Sequence, residues 1–473
     1  MKIKVLGIDD PLVLKELSVI NQGFFDEWQF DFNDGDLVFD ASTFTDVGKE
    51  EKEYKYYILK KYLEFLEIST HEEQPWGLLN GMRPTKLVHS MKKRGETDFE
   101  IEETLAKNYH VKPGKIELLA NVARTQLQVI PDLYALEREI SIYIGIPFCP
   151  TRCAYCTFAA YATKPNKKWI APFVASLLLE IKTIGEYLKN KKISATTVYL
   201  GGGTATSLEV CDLRSVFEAL SRNIPRFSEL RELTVEAGRP DTITREKLEL
   251  LREFNVNRIS INPQSFNQPT LDAIGRHHSV DDVIEKFELA RDIGFRNINM
   301  DLIVGLPGEG KPDLIYSLKK ISELNPESLT VHMLAFKRKS ELTNARGLFA
   351  VADKLDLREM ANITYDFAKK ANYIPYYLYR QKNIAGNGEN IGYSKVGHEC
   401  LYNILMMEEA QNILGLGVGA SSKFLIGESV HNPKDLRTYI ENYEDYSKRK
   451  IEMLELSMKI DAKAFTYNPG IEN

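Results

Sequence analysis

Short runs of β-branched and aliphatic residues alternate with longer amphipathic stretches through the middle of the chain. The amphipathic stretches, such as residues 174–190 and 281–294, carry apolar side chains at helical spacing. This alternation predicts parallel strands joined by right-handed crossovers. The predicted strands are residues 141–146, 196–200, 232–236, 258–262, 297–304 and 329–334. Because there are six strands rather than eight, we predict an open, partial (β/α)6 TIM-like barrel that binds ligands at the carboxyl ends of its strands.

The regions on either side of the predicted barrel have a different pattern. Residues 1–135 combine short β-like pieces with helical stretches, which predicts an N-terminal α+β accessory domain before a core at residues 136–340. Residues 341–473 are mixed, and we predict a C-terminal domain that covers the substrate, although the pattern does not predict its topology. The segment GMRPTKLVH, residues 81–89, is either a docking surface or a packing seam against the barrel.

Composition narrows the classes of protein to consider. Hydrophobic residues make up 43% of the 473 residues and charged residues 27%, which is typical of a folded globular chain. The chain has neither a secretory signal nor a run of 18 apolar residues, so we expect a cytoplasmic protein without a membrane span. The net charge of -6 lacks the basic surplus of a nucleic-acid binder. We therefore expect a monomer with no nucleic-acid partner.

Three of the five cysteines form a C-x3-C-x2-C motif in the loop after the first predicted strand. They are Cys149, Cys153 and Cys156, and three thiolates suit a soft-metal site. A four-iron cluster held by three ligands keeps one iron open, where the amine and carboxylate of an amino acid can chelate. S-adenosylmethionine (SAM) is the natural candidate. The alternatives are a zinc site or three buried thiols, although structural zinc prefers four ligands.

A glycine run, Gly201-Gly202-Gly203-Thr204, ends the second predicted strand. Missing side chains allow close backbone approach and expose N–H groups to a carboxylate. The run is not a P-loop, because no G-K-[ST] sequence follows it. It is either a tight strand-to-helix turn or a grip on the carboxylate of SAM.

Polar residues also occur at the ends of the later strands. Glu236 ends the third strand and Gln264 follows the fourth, while Arg276 lies in the next loop and Asp301 in the fifth strand. Any one of them could be an ordinary hydrogen-bonding residue at a barrel mouth. Because strand ends converge, their combination predicts a polar pocket for a nucleoside and an amino acid.

Two histidines and two isolated cysteines invite a metal interpretation that we do not favour. His277 and His278 are adjacent, so their side chains point in different directions and make a poor chelating pair. We expect both to be solvated or hydrogen-bonded. We expect Cys211 and Cys400 to be small buried residues.

Segments spread over nearly the whole chain resemble those of one family. It resembles the radical SAM enzymes of the oxygen-independent coproporphyrinogen III oxidase group, and within that group the HemZ-type coproporphyrinogen dehydrogenases. The segments that carry the resemblance are WGLLNGMRPTKLVH, SIYIGIPFCPTRCAYCTF, GGGT, VEAGRPDT, ISINPQSF, IGRHH, NINMDLIVGLPGEG, PESLTVHMLAFKR, YYLYRQKN and GLGVGASSKF.

The resemblance implies roles for the residues that match the family's motifs. The three motif cysteines would bind a [4Fe–4S] cluster. The residues that would contact a first SAM are Tyr143, Gly202 and Glu236. Those that would contact a second SAM are Tyr155, Gly203, Thr204, Gln264, Arg276 and Asp301. Two positions depart from the better-studied oxidases: this chain has Phe158 where they have a fourth cysteine, and Gly145 where they have a histidine.

The resemblance also implies an activity. Two propionates of coproporphyrinogen III would be decarboxylated to the vinyl groups of protoporphyrinogen IX, with an unidentified electron donor and acceptor and one or two SAM molecules. No catalytic residue is assigned. Candidate cations for the four substrate carboxylates are Lys337, Arg338, Lys339, Arg380, Lys382 and Lys423, with Tyr376, Tyr377 and Tyr379 as candidate aromatic contacts.

Two alternative functions belong to the same superfamily. A haem chaperone is favoured by Phe158, but the segment GLGVGASS lacks the histidine of the chaperone-like GPGAHS sequence. The other alternative is a different tetrapyrrole-modifying radical SAM reaction.

Overall fold

The computed structural model describes residues 1–25, 28–31, 34–44, 51–79, 83–335, 352–381, 384 and 388–459. The strands are β1 (Lys2–Leu6), β2 (Gln29–Phe30), β3 (Leu37–Asp40), β4 (Ile140–Ile146), β5 (Phe148–Cys149), β6 (Tyr161–Ala162), β7 (Ala195–Gly202), β8 (Glu232–Glu236), β9 (Arg258–Ser260), β10 (Ile298–Val304), β11 (Ser328–Met333), β12 (Ile374–Tyr379), β13 (Asn390–Ser394), β14 (Asn412–Gly417), β15 (Ser421–Lys423) and β16 (Ser429–His431).

The α-helices connect and cover these strands. They are α1 (Pro11–Phe24), α2 (Glu51–Thr70), α3 (Pro84–Lys93), α4 (Asp98–Lys107), α5 (Pro113–Val129), α6 (Thr163–Asn166), α7 (Ile170–Lys191), α8 (Val210–Asn223), α9 (Arg245–Glu253), α10 (Gln268–Ala273), α11 (Val280–Asp292), α12 (Lys311–Leu324), α13 (Lys354–Lys370), α14 (Leu401–Glu408) and α15 (Leu436–Lys459). No helix among the described residues is both long enough and apolar enough to cross a membrane.

Six parallel strands form the barrel in chain order, β4-β7-β8-β9-β10-β11. They coincide with the six predicted strands to within two residues at each end, and the partial (β/α)6 fold is confirmed. Successive side chains of each strand point to opposite faces of the sheet, so one face packs against the helices and the other faces the inside of the barrel. Ile142, Ile144 and Val198 on one face join the apolar core with helical residues such as Phe173 of α7. The other face is polar and lines the inside of the barrel.

Strands β12 to β16 extend the same sheet at both of its edges. β13 pairs antiparallel with β11 and carries β12, while β14 pairs parallel with β4 from Asn412↔Ile140 to Gly417↔Gly145. The hairpin β15–β16 lies beyond β14. Strands from the C-terminal region therefore continue the barrel sheet instead of forming a separate one. The predicted domain bounds at residues 135 and 340 stay predictions.

The N-terminal region has its own small core and a seam against the barrel. The parallel sheet β2-β1-β3 packs with α1 and α2 around residues such as Leu17 and Tyr62. In the segment predicted as either a docking surface or a seam, Thr85 Oγ1 donates to Glu408 Oε1 at 2.6 Å, and Arg83 pairs with Glu409. The described part of this segment, residues 83–89, is therefore a packing seam; residues 81–82 lie outside the described residues.

A buried ion pair fixes the last described helix, α15, to the barrel. Lys450 Nζ contacts Glu180 Oε1, and both side chains are fully buried. Glu180 Oε2 also accepts hydrogen bonds from Tyr439 Oη at 2.7 Å and from the Gly417 N–H at 2.8 Å. Burial lowers the pKa of Lys450, an effect that the Glu180 carboxylate opposes. The pair thus links α7, α15 and the end of β14.

Candidate cofactor site at the barrel mouth

The cysteine loop leaves the barrel directly after β4 and returns through β6. Cys153 is buried, whereas Cys149 and Cys156 are partly exposed. Burial raises the pKa of Cys149 to about 11; the charges of Cys153 and Cys156 add to this rise, and a hydrogen bond with Thr204 opposes it. The three thiols are thus close enough to influence one another, although no three His, Cys, Asp or Glu side chains in the described part of the chain are arranged to hold a single metal ion.

Arg239 supports this loop from beneath and was not predicted. It is buried, and its Nη1 lies 3.8 Å from Cys153 Sγ and 3.2 Å from the carbonyl oxygen of Thr151. Asp241 pairs with the other guanidinium nitrogen at 3.0 Å. The sequence does offer one indication of this role, because Arg239 lies three residues after Glu236, at the carboxyl end of β8. Arg239 places a positive charge beside the thiols, which favours their deprotonated, metal-binding form.

The glycine run brings β7 close to the cysteine loop. The Gly203 N–H donates to the Ile146 carbonyl at 2.7 Å, and the Thr204 N–H donates to the Phe148 carbonyl at 2.8 Å. These two N–H groups therefore bond within the fold, in contrast to the expectation that the run exposes them to a carboxylate. The tight turn is explained by Gly202, whose φ is +105°. Thr204 Oγ1 lies 3.5 Å from Cys149 Sγ.

Aromatic rings and two carboxylates occupy the inside of the barrel below the loop. The ring of Tyr143 stacks on Tyr199 at 6.0 Å, and Tyr402 stacks on Tyr199 at 4.6 Å. Tyr199 Oη donates to Glu236 Oε1 at 2.5 Å. The pKa of Glu236 is raised to about 7, chiefly by burial and also by the charge of Asp301, against the hydrogen bond from Tyr199, which lowers it. The predicted residues Glu236 and Asp301 thus face the same space.

Asp301 is held by groups on the neighbouring strand and on its own. Asn299 Nδ2 donates to Asp301 Oδ1 at 2.7 Å, and His332 Nε2 lies 3.6 Å from Asp301 Oδ2. Burial by itself would raise the pKa of Asp301, but the hydrogen bonds and charge of its neighbours outweigh burial and lower the pKa. His332 Nδ1 lies 3.1 Å from Tyr379 Oη. Asp301 is thereby kept ionised in a buried pocket.

Several buried polar atoms at the mouth have no protein partner. Among the described residues, Asn262 Oδ1, Gln264 Oε1 and Arg276 Nε make no hydrogen bond. The other nitrogens of Arg276 bond to Asn262 O at 2.6 Å, Gly238 O at 2.8 Å and Tyr155 Oη at 3.2 Å. An unsatisfied buried polar atom costs about 1–3 kcal/mol. A ligand rich in donors and acceptors, such as SAM, fits these groups.

Gln264 is also held in an unusual backbone conformation. Its φ is +66°, and its N–H donates to the Asp301 carbonyl at 2.9 Å. A positive φ at a residue other than glycine is uncommon and is found at functional sites. The backbone of Gln264 is thus held against that of Asp301 at the strand end, and its side-chain Oε1 is buried there without a hydrogen-bond partner among the described residues.

The described candidate cations for the substrate carboxylates do not lie together at the barrel mouth. Arg380 donates to the Leu79 carbonyl at 2.7 Å and lies 5.1 Å from the Trp76 ring, so it packs against the N-terminal region. Lys423 pairs with Ile413, near the start of β4, and therefore lies at the amino end of the barrel, away from the loop. The candidates outside the described residues are Lys337, Arg338, Lys339 and Lys382. Of the three tyrosines, Tyr376 is buried in the core. Tyr379 reaches the site through His332, and Tyr377 stacks on Tyr379 and donates to Thr330 Oγ1 at 3.4 Å, beside Asp301.

Of the two adjacent histidines and the two cysteines outside the motif, one of each differs from expectation. His277 is exposed and Cys400 is buried, as predicted. Cys211 is exposed, because it lies on the outer face of α8. His278 is buried, and neither ring nitrogen has a hydrogen-bond partner among the described residues. Its surroundings explain the neutral ring: burial, together with the charges of Arg276 and Arg239, lowers the pKa of His278 to about 3.

Comparisons with known proteins identify the relatives of this chain. The family described as the Radical SAM superfamily matches residues 143–321. The oxygen-independent coproporphyrinogen-III oxidase-like protein HemZ of Bacillus subtilis is 48% identical over 409 residues, which cover 85% of this chain and 82% of HemZ. The heme chaperone HemW of Bacillus subtilis is 32% identical over 305 residues, which cover 64% of this chain and 75% of HemW. The solved structure of coproporphyrinogen III oxidase (HemN) from Escherichia coli matches with a TM-score of 0.54 at 22% identity, over 69% of this chain and 73% of HemN.

The fold and the cysteine loop at its mouth define a radical SAM protein. Membership of that superfamily implies an iron–sulfur cluster and SAM as cofactors. The identity of 48% over most of both chains shows that this chain belongs to the HemZ family. The resemblance inferred from the sequence motifs is thus confirmed, and the likeness to HemN confirms the fold.

Proposed function

We propose that this chain is a radical SAM oxidoreductase that converts coproporphyrinogen III to protoporphyrinogen IX by oxidative decarboxylation of two propionates. The observation that carries the proposal is the group of unpartnered buried atoms on Asn262, Gln264 and Arg276 beside the cysteine loop. They offer a polar ligand a site next to a soft-metal ligand set. The names of HemZ and HemN supply the substrate class.

The cysteine loop would hold a [4Fe–4S] cluster through Cys149, Cys153 and Cys156. When bound, the cluster and SAM supply the one-electron chemistry that removes a hydrogen atom from an unreactive carbon. Arg239 stabilises the thiolates through its charge. Thr204 fixes Cys149 from the side of the glycine run.

The inside of the barrel would hold SAM. Tyr143, Gly202 and Glu236 would contact a first molecule, and a second would use Tyr155, Gly203, Thr204, Gln264, Arg276 and Asp301. Arg276 orients Tyr155 by donating to its hydroxyl group. Buried polar groups that are already positioned need little reorganisation when the ligand binds, and a buried site would keep water from a reactive carbon.

The substrate would enter at the carboxyl end of the barrel. Lys337, Arg338 and Lys339 follow β11 in sequence and stay the candidate partners of its carboxylates. Tyr379, linked through His332 to Asp301, is the aromatic candidate that the geometry favours. We propose that the protein acts in the cytoplasm as a monomer, with an external electron acceptor.

An anaerobic product assay tests the proposal. The protein is reconstituted with iron and sulfide and incubated with dithionite, SAM and coproporphyrinogen III. We expect carbon dioxide, a vinyl-bearing product and 5′-deoxyadenosine. Formation of 5′-deoxyadenosine without carbon dioxide would contradict decarboxylation and favour another tetrapyrrole-modifying reaction.

Haem delivery is the second candidate function. It is favoured by the identity of 32% to the heme chaperone HemW and by Phe158 in place of a fourth cysteine. The segment GLGVGASS, residues 415–422, lacks a histidine for haem, which counts against this function. Stoichiometric haem binding with transfer to an apo-protein, and no turnover of coproporphyrinogen III, would support this function instead.

A further inference from the structure

The outer side of the cysteine loop is exposed and apolar at its centre. Phe158 follows Cys156 by two residues, and 64% of its surface is exposed to solvent. Two residues span at most about 7 Å of chain, so the ring lies beside the proposed cluster ligands. A large exposed aromatic side chain at this position is typical of a contact surface rather than of a core.

Positive charge surrounds Phe158 without any compensating acid in the same stretch. Residues 140–179 contain no Asp or Glu, whereas Arg152, Lys164, Lys167 and Lys168 are all exposed. The whole chain, in contrast, has 67 acidic and 61 basic residues. None of these four cations forms an ion pair with any residue in the described part of the chain, which leaves their charges available to a partner.

A fifth cation reaches the loop from the C-terminal region. Tyr161 Oη donates to the Lys434 carbonyl at 3.0 Å, which ties the start of α15 to β6. Gly419 packs between Ala159 of the loop and the side chain of Lys434. Lys434 is exposed beside the loop, but its neighbour Asp435 is exposed as well, so the basic surface rests on the four cations of residues 152–168.

We propose that Phe158 and the cations around it form the docking surface for a small acidic protein that donates one electron to the cluster. The inference rests on the proposed function in requiring a cluster that must be reduced. In the step, the donor loses one electron and the oxidised cluster gains it, with no bond formed or broken. Charge complementarity favours an acidic donor, because opposite charges steer encounter while a buried aromatic residue supplies affinity.

The first test measures binding and needs no turnover. An acidic flavodoxin serves as the probe, and its dissociation constant for the reconstituted protein is measured at low and at high salt. We expect Lys164→Glu/Lys167→Glu/Lys168→Glu to weaken binding about tenfold or more and to remove most of the salt dependence. We expect Phe158→Ser to weaken binding about tenfold with the salt dependence retained.

A matched control carries the same change of charge on other faces of the molecule. Lys107, Arg222 and Lys319 have side chains that are 71%, 74% and 72% exposed. Changing these three residues to glutamate should leave the dissociation constant within about twofold of the original protein. Equal weakening by the control, or equally tight binding of an acidic protein without a redox centre, would overturn the docking surface.

A second test separates the docking surface from the proposed function. The rate of cluster reduction is followed by its absorbance, with reduced flavodoxin or with dithionite as the donor. In Lys164→Glu/Lys167→Glu/Lys168→Glu, cluster reduction by flavodoxin should be slow, whereas reduction by dithionite should proceed at the original rate. Unchanged reduction by flavodoxin would refute the docking surface, whereas a lack of tetrapyrrole turnover with dithionite would contradict the proposed function alone.

Discussion

Removing one partner of the buried Glu180–Lys450 pair should destabilise the protein strongly. In Lys450→Met, the Glu180 carboxylate keeps its hydrogen bonds from Tyr439 and Gly417 but loses its counter-charge in a fully buried site. Breaking a buried pair in this way costs about 3–5 kcal/mol. Unfolding entropy of about 2.1 cal/mol/K per residue gives roughly 1 kcal/mol/K for a chain of this length. The melting temperature should therefore fall by about 3–5 °C.

The assay is thermal denaturation followed by circular dichroism at neutral pH. Glu180→Gln/Lys450→Met should be more stable than Lys450→Met, because the unpaired buried charge is then absent. Arg437 and Glu441 form an exposed pair on the same helix, at 71% and 54% exposure, so Arg437→Met should cost less than about 1 kcal/mol. A Lys450→Met protein that melts within about 1 °C of the original, or a double variant no more stable than the single, would refute the reasoning.

Three further changes test the site and its supports. Cys153→Ala should abolish the visible absorbance of the reconstituted protein, and an intact chromophore would contradict the assignment of Cys153 as a ligand. Asp301→Asn should lower turnover at least about tenfold while the chromophore is retained, since it removes a buried charge from the pocket; unchanged turnover would argue against a role in binding SAM. Gly417→Ala should destabilise by about 1–3 kcal/mol, because φ is +86° and the new methyl group would overlap the Gly145 carbonyl oxygen. Gly427→Ala, at φ +83° with open space around it, should be milder in the same denaturation assay.

The barrel was predictable because its information is local. The barrel strands, β4 and β7 to β11, are short apolar runs separated by amphipathic helices, so periodicity and order suffice to predict them. The pairings of β12 to β16 were not predictable. β14 pairs with a strand far earlier in the chain, and nothing in the sequence around Asn412 indicates which edge it joins.

The same distinction applies to the site. Spacing along the chain predicted the cysteine loop, and strand-end positions brought Glu236 and Asp301 into one pocket as expected. Tyr199 and His332 reach that pocket only through strand register: Tyr199 pairs with Tyr143, and His332 lies two residues after Thr330, the partner of Asp301. Sequence spacing therefore found groups that share a loop or a strand end, but not those that share a level inside the barrel.

The pairing of β4 with β14 affects how the protein can be made. β4 is synthesised about 270 residues before its neighbour β14, which takes roughly 15–55 s at ordinary rates of translation. Throughout that interval one edge of β4 has no partner, and the cysteine loop follows directly from β4. Iron delivered to the nascent polypeptide would thus reach a cysteine loop that the completed sheet does not yet support. We therefore expect iron to be loaded after the chain is released from the ribosome.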